Sequence, residues 1–465
     1  MINRRDAIKG MGAMAGAASL SKLFGCSSSS PVGIKNYVYL MMENRTYDHV
    51  FGSRKLVEGI MDGDGLTSAM MNPNMAGTQI APYVPAMGPD ECVLDPDHSW
   101  DGSRAEWNNG ANDGFVKQQE MQYGAGHNEP MQYLTRDLMP VSYALADAYT
   151  TCDNWFCSVM GPTWPNRFYW MCGTSGGIMT NELPGTTGSV NFPTIFNSLH
   201  DKKVDWSYYY GSIPVVSALD SPGQYQIDVT KNVKRMSQFF TDAMKGQLSP
   251  VTYIDPAFYQ NDDHPPIHPI NGQALIASVY TALAASPQWK NCLLVVTYDE
   301  HGGFFDHVSP PTVPGDALAS QGFNQLGFRV PTMVIGPYVQ QGYVSHVQYE
   351  HCSALRHLEL AFDLSPSLND RVAMATDFTD CIDMDRLAKG DWAKPIASDD
   401  FPQVDPSTWQ MGTACDYTGA KPAHDPITQW ADKYPERIAG LDLRGELAEY
   451  ERVIKDFLRT TRIPR

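Results

Sequence analysis

Acidic and amide side chains directly follow two apolar stretches that lie far apart in the sequence. Glu43 and Asn44 follow "IKNYVYLMM", and Asp299 and Glu300 follow "NCLLVVTY". If both stretches are strands of one parallel sheet, these side chains meet at the edge where ligand sites lie. Three carboxylates held together would repel one another and raise each other's pKa, a penalty that a bound divalent cation removes. The pattern predicts a metal site; the alternative is that each pair simply ends a strand at solvent.

A hydroxyl group that could act as a nucleophile lies in "SVMGPTWPNRFYW". Gly161 and Pro162 predict a turn, and Pro165 suits the first turn of a helix. Thr163 is then expected near a helix N-terminus, where backbone N–H groups favour an anion. A hydroxyl is a weak nucleophile at neutral pH unless a cation lowers its pKa, so we expect Thr163 also to touch the metal. The alternative is that Thr163 only caps the helix.

Two histidines lie in loops beside carboxylates, in "DPDHSW" and "NDDHPP". Asp97 precedes His98 and Asp263 precedes His264, and each carboxylate could raise the pKa of its neighbouring imidazole. A protonated imidazole can hold phosphate oxygens or give a proton to a leaving alkoxide. The alternative is that both histidines are structural or exposed.

Further polar residues follow Glu300 in the stretch "HGGFFDHV". His301, Asp306 and His307 lie in the same loop as the predicted ligands, so we expect them to support those ligands or to contact the substrate.

Four separated stretches together resemble one family. "MENRTYDHVFG", "GPTWPNR", "DDHPP" and "YDEHGGFFDHV" occur in this order, and they look like the bacterial phosphoesterases that include non-haemolytic phospholipases C and related acid phosphatases. The resemblance covers residues 35–360 and implies a core similar to that of the alkaline phosphatase superfamily.

The resemblance also implies a role for each matching residue. Thr163 is expected to be the nucleophile, and His98 and His264 are expected to hold the phosphoryl group or assist the leaving group. Asn166 and Arg167 of the threonine motif are expected around the metal or the substrate. The implied metal ligands are Glu43, Asn44, Thr163, Asp299 and Glu300. Their oxygen atoms favour hard cations, and Ca, Mg, Mn, Fe and Zn all remain open.

The predicted activity is hydrolysis of phosphate esters by a metal-dependent enzyme through a covalent phospho-threonine. Larger phospholipases C of the family carry β-rich modules after the catalytic core, and this sequence has a helix there instead. We therefore expect a compact phosphatase or small phosphodiesterase, with a phospholipid head group as one candidate substrate. The alternatives are a sulfatase or phosphonate hydrolase on the same core, or a non-catalytic surface lipoprotein that binds anionic ligands.

The elements that position these residues alternate along the chain between strands and helices. This order predicts an α/β fold with a mostly parallel central sheet, helices on both faces and long loop insertions. We expect strands before Glu43 and Asp299, in "VDWSYYYG", in "VTYIDP" and over 330–339. Helices are expected over 139–156, over 271–289 with Asn271 as the cap, and over 349–364. Residues 53–133 are expected to be mainly loops.

Charge and the first residues bear on partners and location. The formal net charge is -18 and no basic cluster occurs, so nucleic acid is not an expected partner. Arg4 and Arg5 with the weakly apolar segment after them resemble a twin-arginine export signal over 1–25. Cys26 is the candidate for lipidation, and residues 27–33 form a serine-rich tether. The expected product is periplasmic, anchored by lipid or secreted, with a catalytic domain over 34–390 and an extension packed on it over 391–465.

Overall fold

The computed structural model describes residues 33–85, 94–220, 229–404, 426–439, 441 and 446–463. The predicted export signal and the candidate lipidation site Cys26 lie outside these residues. Among the helices of the described residues, none is both long enough and apolar enough to cross a membrane.

Eight strands form the central sheet. In chain order they are β1 (Asn36–Met42), β2 (Thr150–Cys152), β3 (Trp206–Tyr210), β4 (Val233–Arg235), β5 (Val251–Asp255), β6 (Cys292–Tyr298), β7 (Thr332–Ile335) and β8 (Tyr343–Ser345). Their order across the sheet is β8-β2-β7-β6-β1-β5-β3-β4. All adjacent pairs are parallel except the two that involve β7. The predicted mostly parallel sheet is confirmed.

The central strands place their last residues side by side. Met42 of β1 is in register with Tyr298 of β6, so Glu43 and Asp299 leave the sheet at the same level. On the other side of β1, Leu40 pairs with Ile254 of β5. All seven residues of β1 and all seven of β6 are buried, as expected for parallel strands covered on both faces.

Helices cover the sheet in two groups. The helices of each group pack against one another. The first group consists of Thr163–Cys172, Ile195–Asp201, His351–Phe362 and Asp370–Met374. The second group consists of Pro140–Ala148, Met236–Lys245, Pro269–Ala284 and Glu446–Thr460. Tyr39 of β1 packs on Trp170 of the first group, with ring centroids 5.4 Å apart. Side chains alternate along a strand, so Val38 and Leu40 face the second group. The predicted helices on both faces are confirmed.

Two local expectations are wrong. The helix expected over 139–156 ends at Ala148, because Thr150 to Cys152 pair with β7 and β8 as strand β2. The helix expected from Asn271 starts earlier, at Pro269, and the His268 side chain caps it by accepting a hydrogen bond from Ile270 N. Proline at the first helical position explains this earlier start.

The stretch expected to consist mainly of loops, 53–133, also carries helices. Among the described residues of this stretch, the α-helices are the end of Tyr47–Leu56, Trp100–Trp107 and Phe115–Tyr123, so the expectation of mainly loops is only partly met. Near the C-terminus, Phe457 stacks on Phe240 at 4.3 Å between centroids. Helix Pro426–Lys433 packs Trp430 against Trp164 at 5.4 Å between centroids.

Candidate active site

Arg167 gathers carboxylates at the ends of the central strands. Its Nη2 donates to Glu43 Oε1 at 2.6 Å, and its Nε lies 3.2 Å from Asp299 Oδ2. Its Nη1 lies 3.2 Å from Oδ1 of Asp255, the last residue of β5. All four side chains are buried. Three adjacent parallel strands, β6, β1 and β5, thus bring carboxylates to one guanidinium. The sequence pattern predicted this convergence for the ends of β1 and β6.

Asn44 joins this cluster through its backbone. Its N–H donates to Asp299 Oδ1 at 3.3 Å, and its φ of 58° lies in the left-handed region. Gly302 lies against it so closely that an added Cβ would be 2.5 Å from Asn44 Cβ and from the Asn44 carbonyl oxygen. The loop after β6 can therefore meet the loop after β1 only where residue 302 lacks a side chain.

Thr163 is the first residue of helix Thr163–Cys172, and Pro162 occupies the cap position. The interpretation of Thr163 as a simple cap is therefore wrong. Its Oγ1 donates to Glu300 Oε1 at 3.0 Å, and both side chains are fully buried. Asn166 holds the preceding turn: its Nδ2 donates to Gly161 O at 2.9 Å. The helix therefore aims the Thr163 hydroxyl at a predicted metal ligand.

The oxygen atoms at this site fit a cation. Within the described residues, Glu43 Oε2, Asn44 Oδ1 and Glu300 Oε2 are buried and have no hydrogen-bond partner. Unpaired buried oxygens are costly. A cation bound by them would remove that cost.

The pKa shifts give the same indication. Burial raises the pKa of Glu43 well above its usual range, repulsion from Asp299 adds to the rise, and Arg167 offsets only part of it. Burial and Asp299 also raise the pKa of Glu300, against the hydrogen bond from Thr163. The close contact with Arg167 does not neutralise this cluster, because one guanidinium faces several buried carboxylates.

His98 and His264 lie side by side, with ring centroids 6.0 Å apart and the rings at 77° to each other, and both line one cavity. The Nδ1 of His98 donates to Pro96 O at 2.7 Å, and the Nδ1 of His264 donates to Pro265 O at 2.6 Å. These bonds orient both rings. The Nε2 of His98 lies 3.7 Å from Glu300 Oε1, so His98 borders the predicted metal site.

The carboxylates expected beside these histidines are not the ones that face them. Asp97 accepts a hydrogen bond from Ser99 N at 2.9 Å and so closes its own local turn. Asp263 accepts from Tyr298 at 2.6 Å, and burial raises its pKa to about 6 although Arg45 and Tyr298 lower it. Both expectations are wrong.

Asp95 takes this place instead. It lies 3.7 Å from His98 Nδ1 and 3.9 Å from His264 Nε2, and the three side chains form a cluster of metal-ligand type.

The loop residues after Glu300 divide into two places. His301 Nε2 lies 2.8 Å from Glu106 Oε2; burial lowers the pKa of His301 and raises that of Glu106, which favours a neutral pair. Asp306 and His307 instead lie with Asp48 and Arg329. Arg329 Nε donates to Asp306 Oδ1 at 2.8 Å.

In this second cluster, His307 Nδ1 lies 2.6 Å from Asp48 Oδ2. Burial opposes protonation of His307, but Asp48 raises its pKa. The cluster of Asp48, Asp306 and His307 could also hold a cation, yet the Arg329 guanidinium already pairs with Asp48 and Asp306. Through these two ion pairs, Arg329 links the loop after β6 to helix Tyr47–Leu56.

The sequence reasoning missed four residues that support the site. They are Asp95, Glu106, Asp255 and His351, whose Nε2 donates to Asp299 O at 2.7 Å. Asp95 and Asp255 had a signal, because Asp95 lies in "DPDHSW" and Asp255 ends a predicted strand. Glu106 and His351 lie within helices and had none.

A cavity of about 310 Å³ opens above His98 and His264. Pro162, the residue before Thr163, lines it, and so do Asp95 and Trp100. The cavity therefore brings both histidines and the start of the threonine helix to one surface, and its volume suits a small organic ligand.

Comparison with known proteins gives one family. The model of the Phosphoesterase family matches residues 34–365. Non-specific phospholipase C6 of Arabidopsis thaliana is 34% identical over 382 residues, which cover 75% of this chain and 72% of that protein. Phospholipase C B of Mycobacterium tuberculosis is 33% identical over 386 residues, which cover 71% and 73%.

Solved structures show a weaker likeness. Ps i-CgsB in complex with a neocarrahexaose has a TM-score of 0.39 at 11% identity, covering 77% of each chain. A protein of the alkaline phosphatase superfamily from Vibrio parahaemolyticus has a TM-score of 0.35 at 9% identity, covering 76% of each chain.

Proposed function

Because this chain belongs to the phosphoesterase family and is a hydrolase of phosphoric ester bonds, we propose that it works through a covalent phospho-threonine at Thr163. One observation carries the proposal. The Thr163 hydroxyl lies at a helix N-terminus and donates to Glu300, beside buried oxygens that have no hydrogen-bond partner. A threonine with a purely structural role would not require buried, unpaired oxygen atoms beside its hydroxyl.

In the first step, Thr163 Oγ1 attacks phosphorus and the bond from phosphorus to the leaving oxygen breaks. Glu300 Oε1 accepts the hydroxyl proton, since it already accepts the hydrogen bond. The N–H groups at the start of helix Thr163–Cys172 stabilise negative charge on the phosphoryl oxygens. The leaving oxygen takes a proton from His98 or His264, whose Nε2 atoms remain for this role because each Nδ1 donates to a carbonyl.

In the second step, water attacks phosphorus and the bond from phosphorus to Thr163 Oγ1 breaks. Glu300 returns its proton to Oγ1, and the histidine that gave a proton in the first step takes one from the water. The product is phosphate from a monoester, or a phosphate monoester such as phosphocholine from a diester. Two in-line displacements predict retention of configuration at phosphorus. A substrate that is chiral at phosphorus tests this directly, and a single inversion contradicts a covalent role for Thr163.

The proposed metal ligands are the side chains of Glu43, Asn44, Thr163, Asp299 and Glu300. A divalent cation held there supplies positive charge that offsets the carboxylates and lowers the pKa of a neighbouring hydroxyl. The all-oxygen ligand set favours hard cations. Direct metal analysis of the purified protein, followed by chelation and reloading with Ca, Mg, Mn, Fe or Zn, identifies the ion.

The substrate class follows from the relatives. The curated relatives described above are phospholipases C by name, and we propose that a phosphate ester with an organic head group is the substrate here.

We also propose export through Arg4 and Arg5, with lipid attached to Cys26. Fractionation of cells that express the chain, with Cys26→Ala as the comparison, tests the anchor, because a soluble periplasmic protein from both variants contradicts it.

A parallel assay tests the reaction itself. The substrates are p-nitrophenyl phosphate, p-nitrophenyl phosphorylcholine and p-nitrophenyl sulfate, with and without chelator. We expect release of nitrophenol from a phosphate ester, its loss on chelation, and its loss in Thr163→Ala. Faster hydrolysis of the sulfate would favour a sulfatase, and binding without release by the metal-loaded protein would favour a binding protein. Mass spectrometry after acid quench should find a phosphoryl group on Thr163.

A further inference from the structure

The cavity above the histidines has one wall from outside the family match. Its lining residues lie within residues 34–365, except Pro426 and Gln429. Both belong to helix Pro426–Lys433 near the C-terminus. The chemistry of the site and the shape of its opening are therefore built by different parts of the chain.

The helix is fixed directly beside the proposed nucleophile. The Trp430 indole packs on the ring of Trp164, the residue after Thr163, at 5.4 Å between centroids. Trp430 Nε1 donates to Gly188 O at 2.6 Å. Ile427 and Trp430 are 0% and 3% exposed. Burial of two large side chains makes this wall part of the packed core.

The residues after the helix are held as firmly. Tyr434 packs on Gly188, where a Cβ would collide with its ring. Arg437 Nη1 donates to Asp220 Oδ1 at 2.8 Å, and its Nε donates to Ser217 O at 3.1 Å. The wall is therefore anchored to the rest of the fold through Trp430, Tyr434 and Arg437.

The cavity is lined by polar, acidic and apolar side chains. Gln122, Thr180 and Gln429 are exposed amide and hydroxyl side chains, and the carboxylates Asp95 and Asp97 also line it, whereas His98 and His264 are buried. Amide and hydroxyl groups can donate and accept hydrogen bonds. A small organic group that is polar or positively charged would find partners among these amide, hydroxyl and carboxylate groups.

We propose that helix Pro426–Lys433 is the wall that contacts the organic group of the phosphate ester, and that Gln429 selects a small polar group at this position. The proposal rests on the proposed function and deepens it, since it names the part of the substrate that the C-terminal wall contacts. Gln429 is a substrate-contacting residue in this scheme, and it takes no part in proton transfer.

The test compares two substrates with the same leaving group in three variants. Gln429→Trp narrows the rim, Gln429→Ala removes its amide, and Lys433→Ala is the matched control one turn further along the helix. We expect Gln429→Trp to lower kcat/KM for p-nitrophenyl phosphorylcholine about tenfold, and for p-nitrophenyl phosphate less than about twofold. Gln429→Ala should raise KM for the choline ester about fivefold at unchanged kcat, because the positively charged trimethylammonium group loses the dipole of the amide. Lys433→Ala should leave both substrates unchanged.

Equal effects of Gln429→Trp on both esters, or no effect on either, would overturn the proposal. If the wild-type protein hydrolyses neither ester, the proposed function is refuted. The contact between helix Pro426–Lys433 and the organic group can then still be tested by measuring ligand binding. Isothermal titration with phosphate and phosphocholine then decides: Gln429→Trp must weaken phosphocholine relative to phosphate. Equal weakening, or no binding of either ligand by the wild-type protein, overturns the inference.

Discussion

The contact between Gly302 and Asn44 offers a quantitative test of how the site is assembled. In Gly302→Ala the new Cβ would lie 2.5 Å from Asn44 Cβ and from the Asn44 carbonyl oxygen. Because φ of Gly302 is +61°, the alanine also pays a conformational cost of about 1–2 kcal/mol. Relief of the steric overlap costs about 1–3 kcal/mol more. We therefore expect a loss of about 2–5 kcal/mol in the free energy of unfolding.

A second glycine separates the two costs. Gly59 has a φ of +70°, and an added Cβ would meet no heavy atom within 4 Å. Gly59→Ala should therefore lose only the conformational cost, about 1–2 kcal/mol. The difference between the two variants measures the steric contact at the site, about 1–3 kcal/mol.

The assays are urea denaturation of both variants and steady-state kinetics on p-nitrophenyl phosphate. In Gly302→Ala, a displacement of Asn44 by up to about 1 Å should reduce kcat by up to about a hundredfold. Gly59→Ala should keep the wild-type kcat. Equal stability and equal activity of the two variants would refute the close approach of the two loops.

Three other variants test the surroundings of the site. Arg167→Met leaves buried carboxylates without their guanidinium and should cost about 3–5 kcal/mol of unfolding free energy in urea titrations. Arg136→Met breaks partly exposed ion pairs with Glu58 and Asp147 and should cost less than about 1 kcal/mol; equal losses in the two variants would contradict the buried cluster. Asn166→Ala should lower kcat about tenfold or more with little change in KM, because the turn before the nucleophile loses its hydrogen bonds; a rise in KM alone would argue against this positioning role. Burial opposes ionisation of Asp377, but hydrogen bonds, including one from Thr379, outweigh it and lower its pKa to about 2. The ionised carboxylate therefore stabilises the fold above about pH 4, and this stabilisation is lost as the pH falls through about 2. Asp377→Asn should lower the free energy of unfolding by about 1 kcal/mol at pH 7, allowing for partial exposure, and by little at pH 2. A loss that does not depend on pH would contradict this reasoning.

The elements that carry the site could be predicted because their signals are local. A run of apolar residues that ends in Glu43 or Asp299 has the composition of a buried strand followed by polar groups. Parallel strands share one carboxyl edge, so convergence of the two follows from the fold class alone. In the same way, Gly161, Pro162 and Pro165 frame the start of the helix at Thr163.

Partners that come from distant parts of the chain could not be predicted in this way. Asp97 is the sequence neighbour of His98, yet it closes its own turn. Asp95 takes its place, and the distant partner that the sequence did not indicate for Asp95 is His264. Whether residues 139–156 continue as a helix depended on the pairing of β2 with β7 and β8. Such choices depend on which surfaces meet in three dimensions, and adjacency in sequence does not encode them.

The sequence by itself determined the α/β class, the strand ends that bear carboxylates, the threonine at a helix start and membership of a phosphoesterase family. Tertiary structure alone decided that Arg167 neutralises part of the carboxylate cluster and that Gln429 lines the cavity. It also decided that three oxygens of the cluster have no hydrogen-bond partner among the residues that the structure describes. The physical reason is range. Secondary structure and capping follow from neighbours within a few residues, whereas ion pairing and cavity walls depend on packing between segments hundreds of residues apart.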